Sequence, residues 1–123
     1  MTDPNFIILY VDSPEASARF YADLLGKPAV EASPTFAMFA LASGNMLGLW
    51  SRHTVEPAAQ ASGGGGELAF AVASPADVDT LHAGWSARGL AIAQAPCRMD
   101  FGYTFVALDP DGHRLRVFCP SAA

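Results

Sequence analysis

The stretch that decides the fold is Asp109–Phe118, with the sequence D-P-D-G-H-R-L-R-V-F. Its Asp-Pro and Asp-Gly steps predict a tight turn, and the alternation of Leu115 and Val117 with charged residues predicts a strand after it. An earlier stretch, Ser43–Trp50, reads S-G-N-M-L-G-L-W and has its glycine, leucines and closing aromatic residue in the same relative places. Two closing strands of the same layout indicate a duplicated module.

The beginnings of the two halves also match. Phe6–Val11 and Glu67–Val72 are apolar runs of strand length, and each is followed within two or three residues by Ser-Pro. Serine at Ser13 and Ser74 is a preferred helix N-cap, and proline fits the first helical position. Each strand is therefore predicted to lead directly into a helix.

The remaining apolar runs complete the same series of elements in both halves. The predicted strands are residues 6–11, 29–32, 35–41, 46–50, 67–72, 90–95, 104–108 and 114–118, and the predicted helices are residues 14–25 and 75–88. Residues 96–103 are predicted to be a loop. The fold class is therefore α+β, a single domain of two βαβββ modules at residues 5–51 and 67–119, joined by a glycine-rich linker at residues 52–66.

Composition limits the classes of partner. The 123 residues are 51% hydrophobic and only 15% charged, which favours an apolar face that a second copy covers in a homodimer. A net charge of −5 argues against nucleic acid and anionic membranes as partners. Without a long apolar run or a basic secretory start, the chain is expected to be cytoplasmic, and Cys97 and Cys119 are expected to be free thiols.

Strand alternation separates the residues that face each module's helix from those on the opposite side of its sheet. The residues predicted on that opposite side are Phe6, Ile8, Tyr10, Met46, Gly48 and Trp50 in the first module and Glu67, Arg114, Arg116 and Phe118 in the second. Trp50 is the candidate for stacking against a planar ligand, because its large rigid ring offers contact area at low entropic cost. The alternative is that Trp50 packs in a dimer interface.

The paired βαβββ plan carries two motifs, F-Y-A-D-L-L-G at Phe20–Gly26 and D-P-D-G-H at Asp109–His113. With them the whole chain resembles the vicinal oxygen chelate superfamily, which includes glyoxalase I, extradiol dioxygenases and bleomycin-resistance proteins. The F-G-Y-T-F stretch at Phe101–Phe105 is further similar to phenazine antibiotic resistance proteins, which bind a drug without transforming it.

The resemblance implies where a metal would bind, because the superfamily's enzymes hold a divalent cation with His, Glu or Gln at four places. Those places fall here on Phe6, Gly48, Glu67 and Arg116. Only Glu67 offers a ligand atom, and arginine repels a cation. No metal, cofactor or catalytic residue is therefore predicted, and Glu67 and Arg116 are expected to form an ion pair instead. The alternative is that both side chains point to solvent at strand ends.

The predicted function is metal-free sequestration of a planar aromatic molecule, phenazine-like or bleomycin-like, as in antibiotic resistance. The predicted ligand-binding residues are the far-side set Phe6, Ile8, Tyr10, Met46, Gly48, Trp50, Glu67, Arg116 and Phe118, together with Tyr103. Tyr103 is included because the predicted loop before the last hairpin is suited to close over a ligand. Two alternatives stay open: a glyoxalase- or dioxygenase-type enzyme, and a metal-independent lyase or isomerase that uses Glu67 as general base.

Overall fold

The computed structural model describes residues 2–121 of the chain. The chain divides into two compact units, of which the first ends at Ser62 and the second begins at Gly63. The division lies at the start of the run of four glycines, Gly63 to Gly66. Each unit consists of one helix and one four-stranded mixed sheet. The predicted α+β fold of two βαβββ modules is confirmed.

The first unit contains strands β1 to β4 and helix α1. Their bounds are β1 Phe6–Val11, α1 Pro14–Leu25, β2 Glu31–Ala32, β3 Phe36–Ala40 and β4 Met46–Ser51. The strand order in the sheet is β1-β4-β3-β2, with β1 parallel to β4 and the other neighbours antiparallel. Helix α1 packs against β2, β3 and β4.

The second unit repeats this arrangement with strands β5 to β8 and helix α2. Their bounds are β5 Glu67–Ala71, α2 Pro75–Ala87, β6 Ala91–Met99, β7 Gly102–Leu108 and β8 Arg114–Pro120. The order is β5-β8-β7-β6, with β5 parallel to β8. The same topology in both units is the structural form of the repeat seen in the sequence.

Both helices begin as their sequences predict. The hydroxyl oxygen of Ser13 accepts a hydrogen bond from the backbone N–H of Ala16, and that of Ser74 accepts one from Asp77, each at 3.2 Å. These bonds satisfy N–H groups that have no partner inside the helix. Helix α1 ends at Gly26, whose φ of 70° is left-handed and favours glycine.

The core of each unit lies between its helix and one face of its sheet. In the first unit it contains Val11, Tyr21, Ala37, Phe39, Leu47 and Leu49, and in the second Val78, Trp85, Phe105, Ala107, Leu115 and Val117. Trp85 packs edge-to-face against Phe70 and Phe105 in the core of the second unit. The opposite face of each sheet, turned away from the unit's own helix, is called its far face below.

The structure corrects one predicted segment. Residues 96–103, expected as a loop, mostly extend the hairpin of β6 and β7, so that Arg98 pairs with Tyr103 and Met99 with Gly102. The register shifts between Gln94 and Cys97, on either side of Pro96. Proline cannot donate to a ladder but is tolerated at irregularities of an edge strand, which is where β6 lies. Among residues 2–121 no helix is long and apolar enough to cross a membrane.

Candidate functional site

The strand register of the first unit collects the predicted ligand-binding residues of that module on one face. Each residue of β1 is paired with a residue of β4 and shares its side of the sheet, as cross-strand partners do. The pairs on the far face are Phe6 with Met46, Ile8 with Gly48, and Tyr10 with Trp50. Strand β3 adds Phe36, Met38 and Ala40 beside them. The far face of the first unit is thus built almost wholly from apolar and aromatic side chains.

Gly48 lies at the centre of this face beneath two phenylalanine rings. A Cβ atom at Gly48 would lie 2.8 Å from Cε1 of Phe6 and 3.0 Å from Cζ of Phe36, closer than carbon atoms normally approach. The ring of Phe36 also meets Trp50 edge-to-face, with centroids 6.2 Å apart. The absent side chain at Gly48 therefore lets an aromatic cluster of Phe6, Phe36 and Trp50 close over the strand.

Solvent reaches much of this apolar face. Phe6, Ile8 and Tyr10 are 40%, 43% and 41% exposed, whereas Leu47 and Leu49 on the helix side are buried. Exposed apolar groups that are contiguous mark binding surfaces more often than isolated ones do. Phe36 is a member of the cluster that the sequence left unmarked, and the alternation of Phe36, Met38 and Ala40 is the signal that could have found it.

The far face of the second unit has a different character. The register places Glu67 beside Arg114, Ala69 beside Arg116, and Ala71 beside Phe118. Helix α2 contacts the other face, because Trp85 on the helix meets Phe70 and Phe105 there. Charged residues therefore lie on the side of this sheet where the first unit carries aromatic ones.

Glu67 and Arg116 form the predicted ion pair. Nε of Arg116 donates to Oε1 of Glu67 at 2.7 Å, and Nη2 donates to Oε2 at 2.9 Å. Two parallel charge-assisted bonds are the strong, planar form of this interaction. The side chains are only 15% and 29% exposed, and the alternative of two side chains directed to solvent is therefore wrong.

A second set of acceptors holds the other end of the Arg116 guanidinium. Nη1 donates to Oγ1 of Thr104 at 3.2 Å and to Oε1 of Gln94 at 3.4 Å. The hydroxyl of Thr104, which is fully buried, in turn donates to the carbonyl of Val117 at 2.8 Å. Arg116 is thus fixed by three neighbouring side chains, of which the sequence analysis had identified only Glu67.

One aromatic ring borders the ion pair, and a second ring packs against the first. The guanidinium carbon of Arg116 lies 5.6 Å from the centroid of the Phe101 ring, a cation–π distance. Phe101 also meets Phe118 edge-to-face at 6.1 Å. Phe101 stands at the tip of the β6–β7 hairpin and is 43% exposed. The hairpin therefore carries an aromatic ring over the charged part of the far face.

The ion pair changes the acid–base properties of both groups. The hydrogen bonds from Arg116 lower the pKa of Glu67 below its usual value, burial opposes this, and the charges of Arg116 and Arg114 add to the lowering. The same bonds raise the pKa of Arg116. A general base at neutral pH needs a raised carboxyl pKa, so the environment of Glu67 is unfavourable to the lyase or isomerase mechanism.

Tyr103 is not brought together with the other predicted site residues. It pairs with Cys119 and Arg98 on the helix side of the sheet, and its hydroxyl donates to Oδ1 of Asp79 on α2 at 2.7 Å. That bond is the main cause of the raised pKa of Tyr103. The sequence analysis missed the position of Tyr103 because it assigned residues 96–103 to a loop. Alternation along a strand, which predicts the face of the sheet, cannot be applied to a residue in a loop.

The residues at the superfamily's metal positions do not fit a divalent cation. The side chains of Phe6 and Gly48 carry no donor atoms, and both oxygens of Glu67 accept bonds from Arg116. Within residues 2–121, no three His, Cys, Asp or Glu side chains come close enough together to hold a metal. A catalytic metal site normally needs about three protein ligands.

Comparison with protein families and curated sequences gives one family and one relative. The family described as the Glyoxalase/Bleomycin resistance protein/Dioxygenase superfamily matches residues 4–117. The chain is 31% identical over 120 residues to the phenazine antibiotic resistance protein EhpR of Enterobacter agglomerans, covering 95% of this chain and 91% of that protein.

Solved structures agree with the fold. Protein ATC0852 of Agrobacterium tumefaciens, solved by NMR in solution, is 61% identical with a TM-score of 0.92, covering 99% of this chain and all of that one. A glyoxalase-related enzyme of Fulvimarina pelagi is 25% identical with a TM-score of 0.84, covering 97% and 88% of the two chains. The chain thus has near full-length relatives of the same architecture.

Proposed function

The chain belongs to the Glyoxalase/Bleomycin resistance protein/Dioxygenase superfamily, and we propose that within it this protein is a metal-independent binding protein that sequesters a planar aromatic small molecule. The ligand class is phenazine-like, in keeping with the name of its relative in Enterobacter agglomerans. Sequestration protects stoichiometrically, since one bound molecule is one molecule removed from solution, and it requires no chemical step.

The observation that carries this proposal is the aromatic cluster on the far face of the first unit. Trp50, Phe36 and Phe6 are brought together by the strand pairing and by the space above Gly48. Rings with two side-chain torsions lose little entropy on binding, and offset or edge-to-face contact with a flat ligand adds about 0.5–1.5 kcal/mol per ring pair. Exposed Ile8 and Tyr10 extend the apolar area that such a ligand would cover.

The donor set supports binding rather than metal-dependent catalysis. At the superfamily's metal positions, Arg116 brings a permanent positive charge and occupies the carboxylate of Glu67. A site of this composition repels a divalent cation and leaves a glyoxalase- or dioxygenase-type mechanism without its Lewis acid. The hypothesis of a glyoxalase- or dioxygenase-type enzyme therefore ranks second. It predicts tight binding of a divalent cation, which the sequestration hypothesis does not.

The test is calorimetric titration of the metal-stripped protein with phenazine-1-carboxylate. We expect saturable binding by the natural protein and about tenfold weaker binding by a Trp50→Ala variant, which corresponds to the loss of about 1.4 kcal/mol of ring contact. A Trp85→Phe variant is the matched control, because Trp85 is a core residue on α2. This variant should bind as the natural protein does.

Fluorescence of the same two variants assigns the contact, since the chain has two tryptophans. The ligand should quench the fluorescence of the Trp85→Phe protein, which keeps only Trp50, more strongly than that of the Trp50→Ala protein, which keeps only Trp85. Equal affinity of the Trp50→Ala variant and the natural protein would place the ligand elsewhere. If the phenazine releases no heat while a divalent cation binds stoichiometrically, sequestration is wrong and the enzyme reading replaces it.

The homodimer expected from composition stays a prediction. Exposed apolar residues on both faces of β1, Ile7 at 38% and Ile8 at 43%, favour it. Sedimentation equilibrium with and without the phenazine is the direct measurement, and a monomer at all concentrations would contradict it.

A further inference from the structure

The far face of the second unit carries a local excess of positive charge. Its charged strand residues are Arg114, Arg116 and Glu67, two cations and one anion. The whole chain, by contrast, has a net charge of −5. A positive spot on an acidic protein is where an anionic ligand group is attracted, provided that one of the two guanidinium groups is available.

Arg116 is not the available group. Its Nε and Nη2 donate to the two oxygens of Glu67, and its Nη1 is shared between Thr104 and Gln94. The Phe101 ring lies beside its guanidinium. Four of the five N–H donors of Arg116 are thus engaged, and a ligand carboxylate could form a two-bond contact with Arg116 only by breaking one of these bonds. Arg116 therefore orients Glu67 and is not the residue that receives the ligand.

Arg114 has the opposite character. Its one recorded polar contact within residues 2–121 is the 3.5 Å approach of Nε to Oε2 of Glu67, beyond good hydrogen-bond length, and its side chain is 40% exposed. That oxygen already accepts the shorter bond from Arg116. The terminal nitrogens of Arg114 therefore present a planar fork of donors that matches a carboxylate.

Aromatic surface lies farther along the same strand. Phe118 is four residues from Arg114 on β8 and on the same face, about 13 Å away at strand spacing. Phe101 packs against Phe118 from the hairpin tip. A flat ring that packs on these two phenylalanines can direct a substituent across the Glu67–Arg116 ion pair toward Arg114.

We infer that the far face of the second unit is a ligand surface of its own, separate from the Trp50 cluster of the first unit, and that it binds an aromatic carboxylic acid with the acid on the Arg114 guanidinium and the ring on Phe101 and Phe118. The inference rests on the proposed function for its class of ligand, and at this surface it narrows that class from any planar aromatic molecule to an acid. Arg114, and not the metal-position residue Arg116, is then the residue that selects the acid over its neutral analogues.

The experiment compares phenazine-1-carboxylate with phenazine-1-carboxamide, which has the same ring and no charge. By calorimetry at low salt, the natural protein should bind the acid about fivefold more tightly than the amide, which is the contribution expected of one partly exposed charge pair. Arg114→Met keeps the length of the side chain and should lose the preference while binding the amide as before. Arg114→Lys should restore most of it, and added salt should reduce it.

The matched control is Arg98→Met, which removes the same charge from the second unit on the helix side of the sheet, where Arg98 lies over Tyr103. It should keep the preference. Equal binding of acid and amide by the natural protein, or a preference that survives Arg114→Met, overturns the inference and leaves the proposed function standing. Failure of both compounds to bind overturns the proposed function and the inference with it.

Discussion

Arg116 and Glu67 are 49 residues apart in the chain, and they meet in a bidentate ion pair with donor–acceptor distances of 2.7 and 2.9 Å. They lie on β8 and β5, which pair in parallel. Parallel pairing of the first and last strands of the unit brings these residues together on its far face. The pair occupies two of the positions at which the superfamily's enzymes place metal ligands, and this substitution underlies the binding function proposed here.

The first prediction concerns the pH dependence of stability. The pKa of Glu67 is lowered from its usual 4.5 by the hydrogen bonds from Arg116, so the folded protein binds this proton less readily than the unfolded chain. Its stabilising contribution is fully present above that value and disappears as the pH falls through the lowered folded value. Glu67→Gln should therefore reduce the free energy of unfolding by about 1 kcal/mol at about pH 7 and by much less at about pH 3.

Urea unfolding at the two pH values measures this difference. Glu31→Gln is the control, because Glu31 is an exposed glutamate on a strand of the first unit. Its effect should be small at both pH values. A deficit of Glu67→Gln that persists unchanged in acid would mean that packing, and not charge, is responsible.

The second prediction concerns the space above Gly48. The added methyl group of Gly48→Ala meets the far edges of the Phe6 and Phe36 rings, and Phe6 is 40% exposed and able to move aside. Alanine also removes the entropic penalty of glycine in a strand, about 0.5–1 kcal/mol. The free energy of unfolding should therefore change by less than about 1 kcal/mol, while displacement of the rings weakens phenazine binding.

Calorimetric titration and urea unfolding of the same Gly48→Ala sample separate the two effects. Unchanged affinity together with unchanged stability would show that the rings above Gly48 do not contribute to the ligand surface.

The third prediction concerns Gly102, where the neighbouring atoms belong to the backbone and cannot move aside as the rings above Gly48 can. Its φ of +148° is unfavourable to other residues, and a Cβ atom there would overlap the backbone carbonyl oxygen of Cys119 on the neighbouring strand. Gly102→Ala should cost about 3 kcal/mol or more, because backbone must move. Gly84→Ala, in α2 with open space around it, should instead stabilise by about 1 kcal/mol. Thermal unfolding of both variants is the measurement, and a stable Gly102→Ala protein would contradict the hairpin geometry.

The fourth prediction concerns the two helix caps. Ser13→Ala and Ser74→Ala each remove one side-chain acceptor from a helix N-terminus and should each cost about 1 kcal/mol in the free energy of unfolding. Aspartate at the same positions caps equally well and should restore stability. Ser→Asp variants as unstable as the alanine variants would show that the hydroxyl bonds contribute nothing.

Local patterns account for what could be predicted from the sequence. The Ser-Pro caps and the apolar periodicity placed α1 at Pro14–Leu25 and β1 at Phe6–Val11, as the structure has them. The Glu67–Arg116 ion pair was predictable because the alternation of side chains along two strands puts both residues on the same face of the sheet. The position of Tyr103 on the helix side of the sheet was not predictable, because its strand was assigned to a loop and alternation was not applied to it. The irregularity around Pro96 also makes the extent of the hairpin difficult to predict from the sequence.

The sequence by itself therefore determined the order of elements, the repeat of two modules and the side of β1, β4, β5 and β8 that faces away from the helix, since caps, turns and alternation act over a few residues. Tertiary structure alone decided that Phe36 reaches Gly48, that Phe101 lies over Arg116, and that Arg114 is left with available donors. These relationships depend on register between strands distant in sequence and on competition among several donors for one carboxylate, which no local pattern encodes.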